Sequence, residues 1–122
     1  MGKALGDTVA NVLSFIDGIA VIGGGITGAS DLYMPAVMEE LSFKYHPSNV
    51  DEMPRLVQKV FNLDDEQDRK DFFKDYSRTI PVPGTDRSIS YDPVPRLAIA
   101  TSSRGANESI ALGAYAYALQ HI

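Results

Sequence analysis

The sequence contains no cysteine. That excludes a disulfide scaffold, a thiolate zinc site and a cysteine nucleophile, and it is compatible with a reducing compartment. Histidine is scarce as well: His46 lies in a Pro-containing loop and His121 one residue from the end. Neither has the converging partners that catalysis or ligation requires. Long hydrophobic runs are also missing. The longest uncharged run, Gly18 to Ser30, is interrupted by Gly18, Gly23, Gly24, Gly25, Thr27, Gly28 and Ser30. A membrane span needs roughly 18 consecutive apolar residues, so no membrane partner is expected. Met1-Gly2-Lys3 leads straight into a helical pattern, without the apolar core and cleavage site of a secretory signal. Gly6 occupies the place where a myristoylation signal carries Ser or Thr. A cytoplasmic location is the expectation. Cations are outnumbered, with Lys plus Arg at 11 against Asp plus Glu at 16 and a formal net charge of -5. Nucleic-acid backbones are bound by clustered cations that displace counterions, so no nucleic-acid partner is expected either.

What remains is an ordinary globular composition, 44% hydrophobic and 22% charged over 122 residues, which argues against disorder and suits one small domain. Ala4 to Ile16 carries Leu5, Val9, Val12, Leu13 and Ile16 at helical spacing, with Asp17-Gly18 as the expected stop. Ile19-Ala20-Val21-Ile22 is continuously apolar and rich in β-branched residues, the pattern of a strand covered on both faces in a parallel sheet. A second helix is expected from Met34-Pro35 to Phe43, with proline in its first turn and Val37, Met38 and Leu41 facing inward. His46-Pro47-Ser48-Asn49 reads as a loop. Leu56 to Leu63 is apolar but ambiguous in period. Asp64 to Tyr76 reads as a solvated helix anchored by Phe72 and Phe73, its leading acids favoured by the helix dipole. Thr79 to Tyr91, with Pro81, Pro83 and Gly84, reads as a hairpin or loop excursion at an edge. Arg96 to Thr101 is a second buried strand. Glu108 to His121 is a slim, alanine-rich helix suited to close packing on a sheet, capped by Asn107 or Ser109, with one of Tyr115 and Tyr117 in the core and the other at an edge.

Two buried strands joined through a helix imply a parallel pair. Two strands make a poor sheet, since sheets usually hold about five or six, so the architecture reads as incomplete. The chemistry-bearing segment is the glycine turn after the first strand. Gly23 to Gly28 fits G-x-G-x-x-G, and glycines let a ligand approach the backbone closely. A tight turn without any ligand fits the same letters.

Three readings of function follow. Ile22 to Ala29 resembles the opening of flavin-linked oxidoreductases, which implies a fragment of an FAD- or NAD-binding enzyme. That reading requires an apolar strand ending in an acid about 20 residues on, where Phe43 to Asp51 reads as no strand. Ala4-Leu5-Gly6 through Asn11-Val12-Leu13, followed by Ile16 to Gly25, resembles the C-terminal lobe of the ROK family (repressor, open reading frame, kinase), the bacterial glucokinase-like sugar kinases. The tail, Ser103-Arg104-Gly105-Ala106-Asn107-Glu108-Ser109 followed by Ile110 to Leu119, is similar to that family's closing turn and helix. The resemblance covers residues 4–43 and 94–122. Residues 50–93, with Tyr91-Asp92-Pro93, resemble an insertion found in some glucokinase-like members.

The ROK resemblance implies an α/β fold, a partial RNase H-like lobe of the actin/hexokinase superfamily. It implies a C-terminal segment of an ATP-dependent sugar kinase in which Gly23, Gly24 and Gly25, with Thr27 at the border, line the adenosine side of the nucleotide site. ATP, with Mg in the full-length parent, is the implied cofactor, and the sugar is a partner of that parent alone. The family's Asp-x-Gly-Gly-Thr loop, its Asp-x-Gly-Ala segment with the catalytic base, and its Glu-x-Gly-His and cysteine zinc motifs are absent from the sequence. The isolated chain is therefore expected to be inactive, with no catalytic and no metal residue assigned. A noncatalytic or sugar-responsive ROK-type regulatory module, whose open sheet edge pairs with a partner or with itself, is the alternative of a different class.

Overall fold

The computed structural model describes residues 1–48 and 51–121. Asn49, the end of the expected loop, therefore lies outside the described residues. The elements run α1 (Gly2–Leu13), β1 (Ile19–Ile22), a short 3-10 turn (Thr27–Ala29), α2 (Ser30–Leu41), β2 (Lys44–Tyr45), β3 (Met53–Pro54), β4 (Lys59–Asn62), α3 (Glu66–Phe72), β5 (Arg78–Pro81), β6 (Ser88–Tyr91), β7 (Arg96–Thr101) and α4 (Ala106–Gln120). The order β1-β7-β4 forms one sheet. β1 and β7 are parallel, with Ile19 opposite Ala98 and Ile22 opposite Thr101. β4 runs parallel to β7 on its other side, with Val60 opposite Leu97. The expected parallel pair is present, and the ambiguous Leu56 to Leu63 stretch supplies a third strand.

Strand alternation divides this sheet into two faces. The inner face presents Ala20, Ile22, Leu97, Ile99 and Val60 to α1 and α2. There they meet Ala10, Leu13, Tyr33, Met34, Val37 and Leu41 in one core cluster. The outer face is covered only in part. Phe61 lies edge-on to Phe72 of α3, ring centres 5.8 Å apart, while Ile19 and Val21 remain 47% and 62% exposed.

The two helices on the inner face approach closely because α1 carries small residues at four-residue spacing. Gly2, Gly6, Ala10 and Leu13 are its buried positions. A Cβ built on Gly6 would stand 2.7 Å from the Glu40 Cβ and 3.1 Å from the Val37 Cα, and one on Gly2 would stand 2.8 Å from both the Tyr33 carbonyl oxygen and the Ala36 Cβ. The seam is locked at one end by Arg55. Its guanidinium donates to the Glu40 carboxylate of α2 at 2.7 Å, and to Asp7 and the Asn11 side-chain oxygen of α1, the latter at 2.9 Å. The hydrogen bond to Asp7 raises the Arg55 pKa above its ordinary value, against the opposing effect of burial.

Helix boundaries depart from the sequence expectations for identifiable reasons. α1 ends at Leu13, ahead of Asp17-Gly18: the regular bonding breaks at Phe15, whose N–H turns to the Val12 carbonyl three residues back at 3.1 Å. α2 begins at Ser30, so Pro35 lies inside the helix and not in its first turn. The missing Pro35 N–H leaves the Asp31 carbonyl without its helical donor. α3 is shorter than expected. Asp65 caps it by accepting from the Asp68 N–H at 2.9 Å, which confirms the acid-rich start. The hairpin is present as β5 and β6, paired antiparallel from Arg78–Tyr91 to Pro81–Ser88, with Gly84 at φ +75° in its turn. Lys44 and Tyr45, in a region read as strandless, pair briefly with Met53 and Pro54.

The largest correction concerns α4. No residue of it is buried, and Tyr115 and Tyr117 are 74% and 66% exposed; neither sits in a core. Gly105 occupies the cap position with no side-chain hydrogen bond, so neither Asn107 nor Ser109 caps the helix.

Two substitutions probe this packing. Gly6→Val drives a branched side chain into α2 and is expected to lower unfolding free energy by about 2–3 kcal/mol, read from urea midpoints. Gly113→Ala, where a Cβ meets open space, is expected to be neutral or stabilising by up to about 1 kcal/mol. The Tyr33 hydroxyl is buried with no hydrogen-bond partner among the described residues. Tyr33→Phe removes that unmet group and is expected to leave stability unchanged or raise it by up to about 1 kcal/mol. A clear loss in the same urea experiment would show that the hydroxyl is bonded.

Candidate functional site

Because β1, β7 and β4 are parallel, their carboxyl ends emerge at one edge of the sheet. Open parallel sheets place ligands at that edge. β1 delivers Gly23-Gly24-Gly25, β7 delivers the turn from Ser102 to Gly105, and β4 delivers Leu63 and Asp64. Hydrogen bonds join the three endings. The Ser102 N–H donates to the Ile22 carbonyl at 2.8 Å, and the Leu63 N–H to the Ile99 carbonyl at 2.8 Å. Asp64 closes the arrangement. Its carboxylate accepts from the Thr101 N–H at 3.1 Å and from the Thr101 hydroxyl at 2.9 Å.

Within the glycine turn, Gly24 has φ +96°, a conformation that side-chain-bearing residues rarely adopt. The Thr27 hydroxyl donates to the Gly24 carbonyl at 3.0 Å, and the Ala29 N–H to the Ile26 carbonyl at 3.0 Å. Thr27 thus shapes the turn from within. Ideal Cβ atoms on Gly23, Gly24, Gly25 and Gly28 would meet nothing within 4 Å. Backbone conformation requires glycine only at Gly24. At Gly23, Gly25 and Gly28 no protein atom of the described chain needs the room. The turn is open, not packed shut by neighbouring side chains.

The electrostatics of this edge are neutral to acidic. Asp31 stands in the first turn of α2, and Asp64 is committed to Thr101. The nearby cation, Arg104, lies 3.6 Å from Glu108, with both side chains exposed. No cation of the described residues is placed against the turn to hold a negative group. A flat, uncharged group needs none.

Three hollows lie elsewhere. One of about 560 Å³, near the start of β7, is lined by Phe72, Phe73, Lys74, Asp75, Asp92, Val94 and Arg96. Its two cations are both engaged: Arg96 donates to the Phe72 and Lys74 carbonyls at 2.6 and 2.9 Å, pairs with Asp92 and lies 5.1 Å from the Tyr76 ring centre, and the Lys74 ammonium lies 5.4 Å from the same ring. The Ser77 hydroxyl and N–H hold the Asp75 carboxyl below its usual range. The other two, of about 200 and 260 Å³, flank α2 near Leu56 and Pro35. None of the three is lined by the glycine turn. Among the described residues, no cluster of three or more His, Asp or Glu could hold a metal ion, and no helix is long and apolar enough to cross a membrane.

The glycine turn and Thr27 fall at this edge, and so does Asp64, which the sequence pattern places in a solvated helix start. The signal for Asp64 was its place directly after a strand of the parallel sheet, and that strand was itself ambiguous. His46 and His121 are apart from the edge. His46 lies 3.7 Å from Glu52 in the β2–β3 region, and the His121 ring stacks on Tyr117 at 4.1 Å.

No family model matches the chain, and no curated protein matches it. Among solved structures, the glucokinase of Parabacteroides distasonis ATCC 8503 is similar, with 36% sequence identity and a TM-score of 0.74. The match covers 99% of this chain and 32% of the glucokinase chain, so the protein spans about a third of the length of its structural neighbour. With its parallel strands, flanking helices and hairpin, the chain has the mixed α/β fold of a partial lobe of the actin/hexokinase type, and its structural neighbour is a sugar kinase.

Proposed function

We propose that this chain is the C-terminal segment of an ATP-dependent, glucokinase-like sugar kinase of the ROK type, and that it supplies the wall against which adenosine rests. Gly23, Gly24 and Gly25 offer bare backbone to the base and ribose, and Thr27 borders them. The observation that carries this reading is the open glycine turn at the carboxyl edge of a parallel sheet, in a chain whose likeness to a glucokinase runs over 99% of its length. The neutral-to-acidic edge favours the uncharged nucleoside end over the phosphates. Phosphoryl transfer needs a base, metal on the phosphates and lobe closure. In this reading those belong to the rest of the kinase, with Mg bound there, the sugar bound there and the whole working in the cytoplasm.

The dinucleotide reading is opposed by topology. A βαβ dinucleotide unit pairs its first strand with the next one, about 20 residues on. β1 pairs instead with β7, and Lys44–Tyr45 pairs antiparallel with Met53–Pro54.

The test is calorimetry of the isolated chain with adenosine, ADP, ATP and FAD. Adenosine, ADP and ATP are expected to bind with similar weak affinity, Kd on the order of 1 mM, and FAD no better. Affinity that rises steeply with each phosphate, or tight FAD binding, would sink the assignment. Gly25→Val is the discriminating variant. Gly25 has no positive φ and its Cβ would meet open space, so stability is expected to change by less than about 0.5 kcal/mol while nucleoside binding is lost. Asp64→Ala frees Thr101 and is expected to weaken binding several-fold without abolishing it. The isolated chain is expected not to phosphorylate glucose; transfer above the no-protein control would overturn that part.

A further inference from the structure

The hollow beside the start of α2 holds an unpaired acceptor and an unpaired donor. It has a volume of about 260 Å³ and is lined by Asp31, Met34, Pro35 and Met38 of α2 and by Asn62, the last residue of β4. Asn62 is held on three sides. Its side-chain oxygen accepts from the Asp64 N–H at 3.1 Å, its N–H donates to the Asp68 carboxylate at 2.9 Å, and its carbonyl accepts from the Asp65 N–H at 3.1 Å. With the oxygen committed the amide is oriented, and its NH2 group is left over as a donor. Nothing among the described residues accepts from that group, and nothing donates to the Asp31 carboxylate. The Asp31 carbonyl lacks its helical donor as well, because Pro35 has no N–H.

The hollow continues the edge that carries the glycine turn. Gly25 is followed by the short turn Thr27–Ala29, and Asp31 stands in the first turn of the helix that comes next. In the order β1-β7-β4, the line of β4 runs two strand spacings, about 10 Å, from that of β1. A group resting on the glycines and extending along the start of α2 toward β4 arrives between Asp31 and Asn62.

The lining narrows what that group is. An anion would face the Asp31 carboxylate, and a cation would face the Asn62 NH2 group. A neutral group with a donor beside an acceptor satisfies both. The remaining liners are apolar, and two of them, Met34 and Met38, are thioethers, which make favourable contacts with aromatic rings. A planar heterocycle fits that lining better than a ring of hydroxyls. Adenine presents an amino donor next to a ring-nitrogen acceptor, whereas guanine and hypoxanthine carry an acceptor oxygen in place of the amino group.

We infer that Asp31 and Asn62 read the base edge of the nucleoside, Asp31 accepting from the adenine amino group and the Asn62 NH2 group donating to the adjacent ring nitrogen. The inference rests on the proposed kinase reading and deepens it, from a wall for any nucleoside to a pair that selects adenine. Asn62 belongs to the stretch between α2 and β7, so the selectivity comes from a strand far from the glycine turn in sequence.

The experiment titrates the chain with adenosine, inosine and glucose by NMR, with urea midpoints as the check on folding. Adenosine is expected to bind about tenfold more tightly than inosine, in the range a paired donor and acceptor supply. Asp31→Asn supplies an amide that can turn to donate to the inosine oxygen, and the preference is expected to collapse to within about twofold. Asn62→Asp keeps the acceptor for the Asp64 N–H but removes the donor, and adenosine is expected to bind several-fold more weakly. Should that second variant unfold, Asp31→Asn alone decides. Equal binding of adenosine and inosine by the unaltered chain would overturn the base-edge assignment and leave the glycine wall standing. Binding of neither would overturn the wall, and the assignment with it. A tenfold preference that survives Asp31→Asn, or glucose binding that this variant abolishes, would also overturn the assignment.

Discussion

The fold depends on closing both faces of β7. Leu97, Ala98 and Ile99 have no exposed surface at all, although β7 is flanked by only one strand on each side. A parallel sheet this narrow cannot exclude water by width, so it must do so by cover. On the inner face the cover is the α1–α2 pair, and its closeness comes from glycine at positions 2 and 6. Any side chain there would lift α1 away and open the layer above Leu97 and Ile99. On the outer face the cover is Phe61 and α3, and it stops short of β1. The same alignment that buries β7 also brings three strand ends to one edge. The site and the core therefore share a cause.

Much of this was legible in the sequence because it is local. β1 and β7 are short runs with apolar residues on both parities, and that pattern has few other uses. The glycine turn announces itself, and the Pro81–Gly84 segment marks its hairpin. What was not legible is where local pattern and tertiary context diverge. Lys59 and Asn62 bound β4 with polar residues, so its period could not separate strand from helix. Only the register against β7 settles it. Pro35 was assigned to the start of a helix on propensity, yet the burial of Tyr33 and Met34 ahead of it extends the helix past the proline. α4 has the composition of a core helix and none of the burial, because composition reports what a helix needs and not whether the need is met within these residues.

The polar fastenings are the other part hidden from sequence. Arg55 reaches Asp7 and Asn11 across 48 and 44 residues, and Asp64 reaches Thr101 across 37. No spacing rule connects such pairs. Both do similar work at opposite places. Arg55 fixes how α1 and α2 lie against each other, with Asp7 and Glu40 sharing its charge. Asp64 fixes the end of β7 against the end of β4. A carboxylate accepting an N–H and a hydroxyl has much of its hydrogen-bonding capacity engaged, so Asp64 is poorly placed to serve as a catalytic base while it holds that turn.

Under the proposed kinase reading, that engagement bears on which half of a nucleotide this edge would suit. Phosphate sites built from glycine turns draw on helix N-termini and on cations. Here the helix that follows the turn carries Asp31 in its first turn, and the cation of the neighbouring turn, Arg104, has Glu108 within reach. Bare backbone without positive charge is suited to a planar, uncharged surface, where close approach and excluded water supply the binding. Such a wall is one-sided by construction. The neighbouring α4, which leaves the same edge of the sheet, contributes no buried residue that would close it.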